Sequence, residues 1–377
     1  MRIAIAAPVS KRPEGGVANV VYNTADALRE RGHHVECLFV EDVSPEPAPI
    51  ARFQAVHFAL RLAQLLRRRR GEFDVVNIHA PSGFAYGLIR RLGLSGVLPP
   101  YVMLLHGLEE RRNQAMRREA AKGRAAQFLW KNRLWQHAYY MPLYRFAIVT
   151  ADQSVVINRE TWTMLQLKFD RDIERVWYIP NGVESHFFVP RVPPAARTLR
   201  LLFVGSWLDH KGVYYLREAF ESVARRNPDV RLTIAGCGGD GQALRDSFDA
   251  AVRDQLDVVP FVSRSEMPAL YARHDLFVFP SLFEGLPIVL LEAMASGMPV
   301  VTTETCGMKD VIEDELNGLL IKPAHTGELV AAVERMMGSP ELRSRLGQAA
   351  QETVKRYTWR RVAQQLEKVF SLATTAA

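Results

Sequence analysis

Phe279-Pro280-Ser281-Leu282-Phe283-Glu284-Gly285-Leu286-Pro287-Ile288-Val289-Leu290-Leu291-Glu292-Ala293-Met294-Ala295-Ser296-Gly297-Met298-Pro299-Val300-Val301 is the stretch that decides how the chain is read. The apolar run over residues 275–279 predicts a buried parallel strand. A turn follows at Glu284-Gly285, Pro287 suits the first residue of a helix, Gly297 ends that helix, and Pro299-Val300-Val301 opens another strand. In an open α/β sheet, ligands sit at the carboxyl ends of the strands, and the N–H groups at the start of a helix suit a phosphate. Two carboxylates lie in this stretch. Glu284 falls in the turn and Glu292 one helical turn beyond Ile288, so both can look into one crevice. Carboxylates accept hydrogen bonds in pairs, as sugar and ribose hydroxyls require. Two glutamates eight apart on an ordinary charged helix would read the same way.

Working outward, 377 residues exceed what one hydrophobic core usually holds and predict two domains. A hydrophobic fraction of 48% with 24% charged residues is that of an ordinary globular protein. Three cysteines are too few and too scattered for a disulfide framework or a zinc site, which fits a reducing cytoplasm. The apolar start, residues 1–8, is too short for a signal peptide and reads as a first strand. No run approaches the roughly 20 apolar residues that span a bilayer. The net charge of +7 is uneven: residues 1–190 carry 26 Lys and Arg against 18 Asp and Glu, a net of +8, and the remainder carries −1. Such asymmetry points to an acidic partner on the first half.

Along the first half, Gly15-Gly16 stands between the first strand and an amphipathic helix, where paired glycines allow close backbone approach. A helix over residues 53–66 ends in Arg67-Arg68-Arg69-Arg70, more cations than a C-terminal cap needs. Strands follow at 73–79 and 101–105, the second ending at His106-Gly107. Residues 109–145 interleave nine Lys and Arg with Phe128, Trp130, Trp135, Tyr139, Tyr140 and Tyr144. That mixture suits an anionic membrane interface, and equally a helical insertion whose rings are core. Nucleic acid fits the composition less well as a partner. Prolines 190, 193 and 194 mark a linker. Beyond it, the strand at 201–204 leads into Gly205-Ser206 and Lys211-Gly212. Gly236-Cys237-Gly238-Gly239-Asp240-Gly241 spells Gly-x-Gly-x-x-Gly, which keeps an NAD-dependent oxidoreductase as a rival, although the fingerprint normally occupies the first turn of its domain.

The opening stretch resembles the signature of the large retaining glycosyltransferase family 4. That signature is Glu, seven residues, Glu, with Gly-Leu-Pro after the first Glu and Glu-Ala-Met-Ala-x-Gly-x-Pro-Val-Val around the second, and every feature is present. The Pro180-Asn181-Gly182-Val183 segment and Lys211-Gly212 resemble the family as well. The resemblance implies an α/β protein of the GT-B fold, two Rossmann-like β/α/β domains facing across a cleft. Residues 1–187 would be the acceptor domain and 188–356 the nucleotide-sugar donor domain, with a C-terminal helix in 357–377 crossing back onto the first.

It also implies the site residues. His106 would reach the donor sugar, Glu284 its hydroxyls, and Glu292 the ribose. Lys211 and the backbone N–H groups of Gly285, Leu286 and Ile288 would hold the diphosphate, with Gly15 and Gly16 against it from the first domain. The sequence departs from the family at Ser206, where an arginine is usual, and at Met308, where the second glycine of a Gly-Gly turn is usual. The activity implied is metal-independent retaining hexosyl transfer to a glycan or lipid-linked acceptor, with a nucleotide sugar as co-substrate and no cofactor. It would belong to polysaccharide or glycolipid biosynthesis, in the cytoplasm and peripheral on the inner face of the membrane. Ser206 leaves open a non-catalytic sugar-nucleotide or lipid-binding protein.

Overall fold

The computed structural model describes residues 1–12, 16–46, 53–93, 97–124, 139–169, 171–189 and 198–375. The chain forms two compact units. One comprises Met1–Leu108, Phe128–Gly182 and Trp359–Ala377; the other comprises Glu109–Gln127 and Val183–Thr358. The expected first domain therefore loses residues 109–127 to the second unit, and the C-terminal change of unit falls at Trp359.

The first unit is built on a six-stranded parallel sheet of β1 (Arg2–Ala6), β2 (His34–Leu38), β3 (Val75–His79), β4 (Tyr101–Leu105), β5 (Gln153–Val156) and β6 (Val176–Tyr178), in the order β2-β1-β3-β4-β5-β6. β3 and β4 are buried along their whole length, which is why they read as apolar runs rather than alternating ones. Helices α1 (Gly16–Arg29) and α2 (Gln54–Arg68) cover it. Phe58, Leu62 and Leu66 of α2 join Tyr101, Met103 and Leu105 of β4 in one apolar cluster, each such side chain stabilising the unit by roughly 1.5–3 kcal/mol.

The segment Glu109–Ala121 forms helix α3, part of the second unit. That unit's sheet comprises β7 (Leu199–Val204), β8 (Val230–Ala235), β9 (Leu256–Val259), β10 (Leu276–Phe279), β11 (Val300–Thr303) and β12 (Leu319–Ile321). Its order is β12-β11-β10-β7-β8-β9, again all parallel. Helix α4 (Val213–Ala224) follows β7 and α5 (Ile288–Ala295) follows β10. From β7 the chain winds toward β8 and β9, and from β10 toward β11 and β12. The strand order reverses between β7 and β10, which is where such a sheet opens a ligand crevice.

The last helix, α6 (Trp359–Thr375), buries Val362, Leu366, Val369, Phe370 and Ala373 along one stripe and packs against α1 of the first unit. Its Glu367 accepts from Arg31 at 2.5 Å and pairs with His33 at 2.7 Å. None of the described helices is long and apolar enough to cross a membrane.

Candidate active site

In the second unit the site is assembled by two turns meeting at the β7–β10 switch point. After β7 the chain makes a short 3-10 turn, Asp209–Lys211, and enters α4 through Gly212 at φ +71°. A Cβ there would stand 1.9 Å from the Pro280 carbonyl oxygen, so only glycine lets this turn lie against the β10 loop. Leu282 N–H donates to the His210 carbonyl at 2.7 Å, and Ser281 Oγ donates to the same oxygen at 2.9 Å. The result is a Lys211 Nζ placed 2.5 Å from Glu284 Oε1 and 5.3 Å from the centre of the Phe279 ring.

Pro287 is the N-cap of α5, in extended conformation, rather than its first helical residue; the helix begins at Ile288 and its Leu290 N–H bonds to the Pro287 carbonyl at 3.2 Å. Glu284 therefore lies outside the helix, and the eight-residue spacing is not a helical one. The two glutamates engage different partners. Glu292, 2% exposed, accepts from Tyr271 Oη at 2.9 Å on Oε2, and its Oε1 lies 3.5 Å from Arg264 Nη1. Arg264 also pairs with Glu184, its Nε 3.2 Å from Oε1. Burial pushes the Glu292 carboxyl above the usual carboxylate range, while Arg264 and the Tyr271 hydroxyl pull it back. A carboxylate offers about four lone-pair sites, so Glu292 keeps acceptor capacity beyond these two partners.

The loop between Glu284 and α5 is held from the next strand. Gly307 N–H donates to the Gly285 carbonyl at 2.8 Å, and a Cβ on Gly307 would stand 2.0 Å from that oxygen. The residue after it needs no such freedom: Met308 opens a short helix, Met308–Val311, and is fully buried. The departure from a Gly-Gly turn is thus accommodated by ordinary helical geometry. Ser206, between Gly205 at φ +141° and Trp207, is exposed, and its carbonyl accepts from Leu208 N–H at 2.9 Å.

The Gly-rich turn after β8 does not offer the anion site that a dinucleotide fingerprint needs. Gly236, Gly238 and Gly239 all have φ near +65°. The helix that follows, Gly241–Asp246, is only six residues, and the Asp240 carboxylate already caps it by accepting from the N–H groups of Gln242 and Ala243. A negative charge stands where a pyrophosphate would have to sit.

In the first unit, His106 follows β4 and its Nε2 lies 2.9 Å from His79 Nδ1, at the end of the adjacent strand β3. Burial pulls His106 down to about 4 and His79 well below the usual imidazole range, so the pair is neutral at physiological pH and shares one N–H. His79 Nε2 has no partner among the described residues. Tyr144 Oη, at 3.2 Å, donates to the Gly107 carbonyl and steadies the turn. Gly16 opens α1 with nothing among the described residues within 4 Å of a would-be Cβ, and Gly15 lies outside the described residues.

The structure thus brings Lys211 and Glu284 together, connects Gly285 to Gly307, and gives Glu292 a separate buried setting. Sequence reasoning missed Tyr271, Arg264, Glu184 and His79, which come from other elements and carry no local signature. The basic segments changed character too. Arg69 of the Arg67–Arg70 run bonds both oxygens of Glu36 and also Glu72, so it is structural. Lys122 pairs with Glu119 and Arg124 with Glu218 inside the second unit. Tyr144 is core, and Arg145 lies over the Phe169 ring. Phe128, Trp130 and Trp135 lie outside the described residues.

Two units built on six-stranded parallel sheets, each of the Rossmann-like α/β kind, define the class of fold, and comparison with known proteins places the chain within it. Residues 14–187 match the family model for Glycosyltransferase Family 4, and residues 190–353 match that for Glycosyl transferases group 1. The alpha-D-kanosaminyltransferase of Streptomyces kanamyceticus is 36% identical over 151 residues, 40% of this chain and 39% of that protein. An uncharacterized glycosyltransferase of Methanocaldococcus jannaschii is 24% identical over 95% of both chains. Among solved structures, the sucrose-phosphate synthase of Thermosynechococcus elongatus superimposes with a TM-score of 0.79 at 19% identity, covering all of both chains. The Anabaena protein HepE, solved with UDP-glucose, gives 0.69 at 17% identity over 98% of this chain and 99% of that one. The chain belongs to the family 4-like glycosyltransferases of the GT-B fold.

Proposed function

We propose that the protein transfers a hexosyl group from a nucleotide sugar to an acceptor hydroxyl with retention of configuration. The observation that carries this reading is the Lys211–Glu284 contact at the β7–β10 switch point, beside the start of α5. A diphosphate there meets a cation and a helix N-terminus, and the sugar's hydroxyls meet a carboxylate. The UDP-glucose held by HepE supports a uridine nucleotide as the first donor to try.

In this reading Lys211 and the backbone of Gly285, Leu286 and Ile288 stabilise charge on the departing diphosphate. Each such fixed donor contributes roughly 3–4 kcal/mol to a rate. Glu292 binds the ribose and Glu284 the sugar's hydroxyls, while the family resemblance assigns His106 to the donor sugar and Gly15 and Gly16 to the diphosphate. The acceptor oxygen bonds to the anomeric carbon on the face the phosphate oxygen leaves, and the acceptor's proton passes to that phosphate. The developing charge is met by Lys211 and peptide dipoles, so no metal or cofactor takes part. Ser206 places the burden of side-chain charge on Lys211.

The acceptor would be a glycan or lipid-linked molecule, reached from an anionic membrane surface through residues 109–145, with the enzyme on its cytoplasmic side. Co-sedimentation with anionic vesicles at low salt tests that location, and wild-type protein left in the supernatant would remove it. The donor reading is tested by thermal shift with UDP-, GDP- and ADP-sugars, since a ligand at ~100 times its Kd stabilises by ~2.7 kcal/mol. If none of them raises Tm, or if the product anomer is inverted, the reading fails.

A further inference from the structure

Beside the Lys211–Glu284 pair, the second unit contains a pocket of about 520 Å³, the size of a small-molecule site. Its floor comes from the loops that leave three adjacent strands: Leu282 and Phe283 after β10, Thr305 and Cys306 after β11, Pro323 and Ala324 after β12. The turn that carries Lys211 follows β7, on the other side of β10 in the strand order. Phe283 immediately precedes Glu284, which puts the pocket next to the reacting end of the donor.

Its other wall is one face of α3. Arg111, Gln114, Ala115, Arg118 and Lys122 recur at the three- and four-residue spacing that lines up a single helical face. A helix that packs an apolar core puts large hydrophobic residues on that face; here it carries cations and alanines, so the face lines a space rather than filling it. The helix is fixed in this orientation by Glu119, 1% exposed, whose two oxygens accept from Tyr215 Oη at 2.8 and 2.7 Å. Lys122 Nζ, 3.0 Å from Glu119 and 2.9 Å from Tyr215 Oη, neutralises that carboxylate. Arg111 Nη1 donates to Gln114 Oε1 along the lining, and Arg118, which is exposed, brings a positive charge to it.

We propose that this pocket takes the acceptor, and that the acceptor is an anionic amphiphile. A phosphate or carboxylate lies against Arg118, and an apolar portion lies on Leu282, Phe283, Pro323 and Ala324. This rests on the transferase reading for the word acceptor; the chemistry of the pocket does not depend on it. Charge-assisted, bidentate recognition is what arginine supplies, and the apolar floor supplies a term that salt does not screen.

The test uses three probes on the full chain by calorimetry. Decyl phosphate carries both features, decyl maltoside only the chain, and glucose 6-phosphate only the anion. Decyl phosphate is expected to bind one-to-one, about tenfold or more tighter than either of the others, the equivalent of losing one good contact. Arg118→Glu is expected to weaken it by a similar factor, and Ala115→Trp, which fills the space, to abolish it. Both variants should leave UDP affinity within about twofold, which reports that the second unit is folded and its nucleotide slot intact. Arg118→Ala, a milder change at an exposed position, should fall between wild type and Arg118→Glu. Equal affinity for glucose 6-phosphate would assign the site to soluble phosphate esters and overturn the amphiphile. Decyl phosphate binding that ignores both Arg118→Glu and Ala115→Trp would overturn the pocket. If UDP fails to bind wild type while decyl phosphate still follows the variants, the transferase reading falls and the pocket stands.

Discussion

Lys211 Nζ lies 2.5 Å from Glu284 Oε1, and the two side chains are 16% and 14% exposed. This contact joins the turn after β7 to the loop after β10 across the point where the strand order reverses. Ser281 Oγ lies 3.2 Å from the same Glu284 oxygen. A diphosphate and a sugar hydroxyl arriving there would divide the pair between them, the cation taking the phosphate and the carboxylate the hydroxyl.

Glu284→Gln preserves size and removes charge. Transfer should fall roughly 10²-fold while UDP affinity changes by no more than about threefold, because in the proposed reading the lost interaction is with the sugar. Lys211→Ala should lower both, and Ser206→Arg should partly restore it by returning a cation to the neighbouring turn. Steady-state kinetics with a direct measurement of nucleotide Kd decides. Near-full activity in Lys211→Ala would place the leaving-group cation elsewhere.

Removing Glu292, itself buried, takes one of two carboxylate partners from the half-buried Arg264. Glu292→Ala should therefore cost about 3 kcal/mol in urea unfolding as well as nucleotide affinity, whereas Tyr271→Phe, which deletes one hydrogen bond, should cost about 1–2 kcal/mol. Burial raises the Glu292 pKa, so this carboxyl's ionisation weakens the fold as pH rises through its folded value. Nucleotide affinity should move the opposite way, dropping as pH falls and the acceptor is protonated. Affinity lost in Glu284→Ala and retained in Glu292→Ala would reverse the two assignments.

Gly307→Ala should displace the Gly285 carbonyl and the loop that carries Glu284, since no room exists for the methyl group. Both Tm and transfer should drop. Gly16→Ala is the contrasting case: its Cβ meets nothing among the described residues, so stability should stay within about 1 kcal/mol of wild type while transfer falls. Differential scanning fluorimetry beside an activity assay separates the two glycines. Unchanged transfer in Gly16→Ala would remove that residue from the site.

The His79–His106 pair makes the first unit acid-sensitive. His106 titrates near 4 in the fold and near 6.5 unfolded, so below pH 6.5 the unfolded chain binds a proton that the fold refuses. The stabilisation is complete above 6.5 and is lost as pH falls toward 4, at about 1.4 kcal/mol per pH unit for each such histidine. His106→Asn should flatten the acid limb of stability between pH 7 and 5. An identical pH slope in wild type and variant would show that the ring is not held neutral.

Much of the architecture was legible because its signals are short-range. β3, β4 and β10 are apolar runs bounded by turn residues, and Gly297, at φ +66°, ends α5 where a C-terminal glycine belongs. Glu284 could be marked from its turn, and Lys211 from the resemblance of its turn to the family's. The boundaries were less legible: Pro287 works equally well as a cap or as a first helical residue, and packing chose the cap.

What the chain's order of residues determined by itself was the two parallel sheets, the turns at their carboxyl ends and the chemical types those turns carry, since periodicity and glycine placement act within a few residues. What only the tertiary structure decided was partnership. Residues 109–145 read as one basic, aromatic segment on the first domain, yet α3 belongs to the second unit, tied there by Glu119 and Tyr215, 96 residues apart. Arg264 and Tyr271 hold Glu292, and His79 meets His106 only because β3 and β4 are neighbours. A buried charge must find a partner wherever the fold supplies one, and the free energy that selects it depends on burial, which no local pattern of residues encodes.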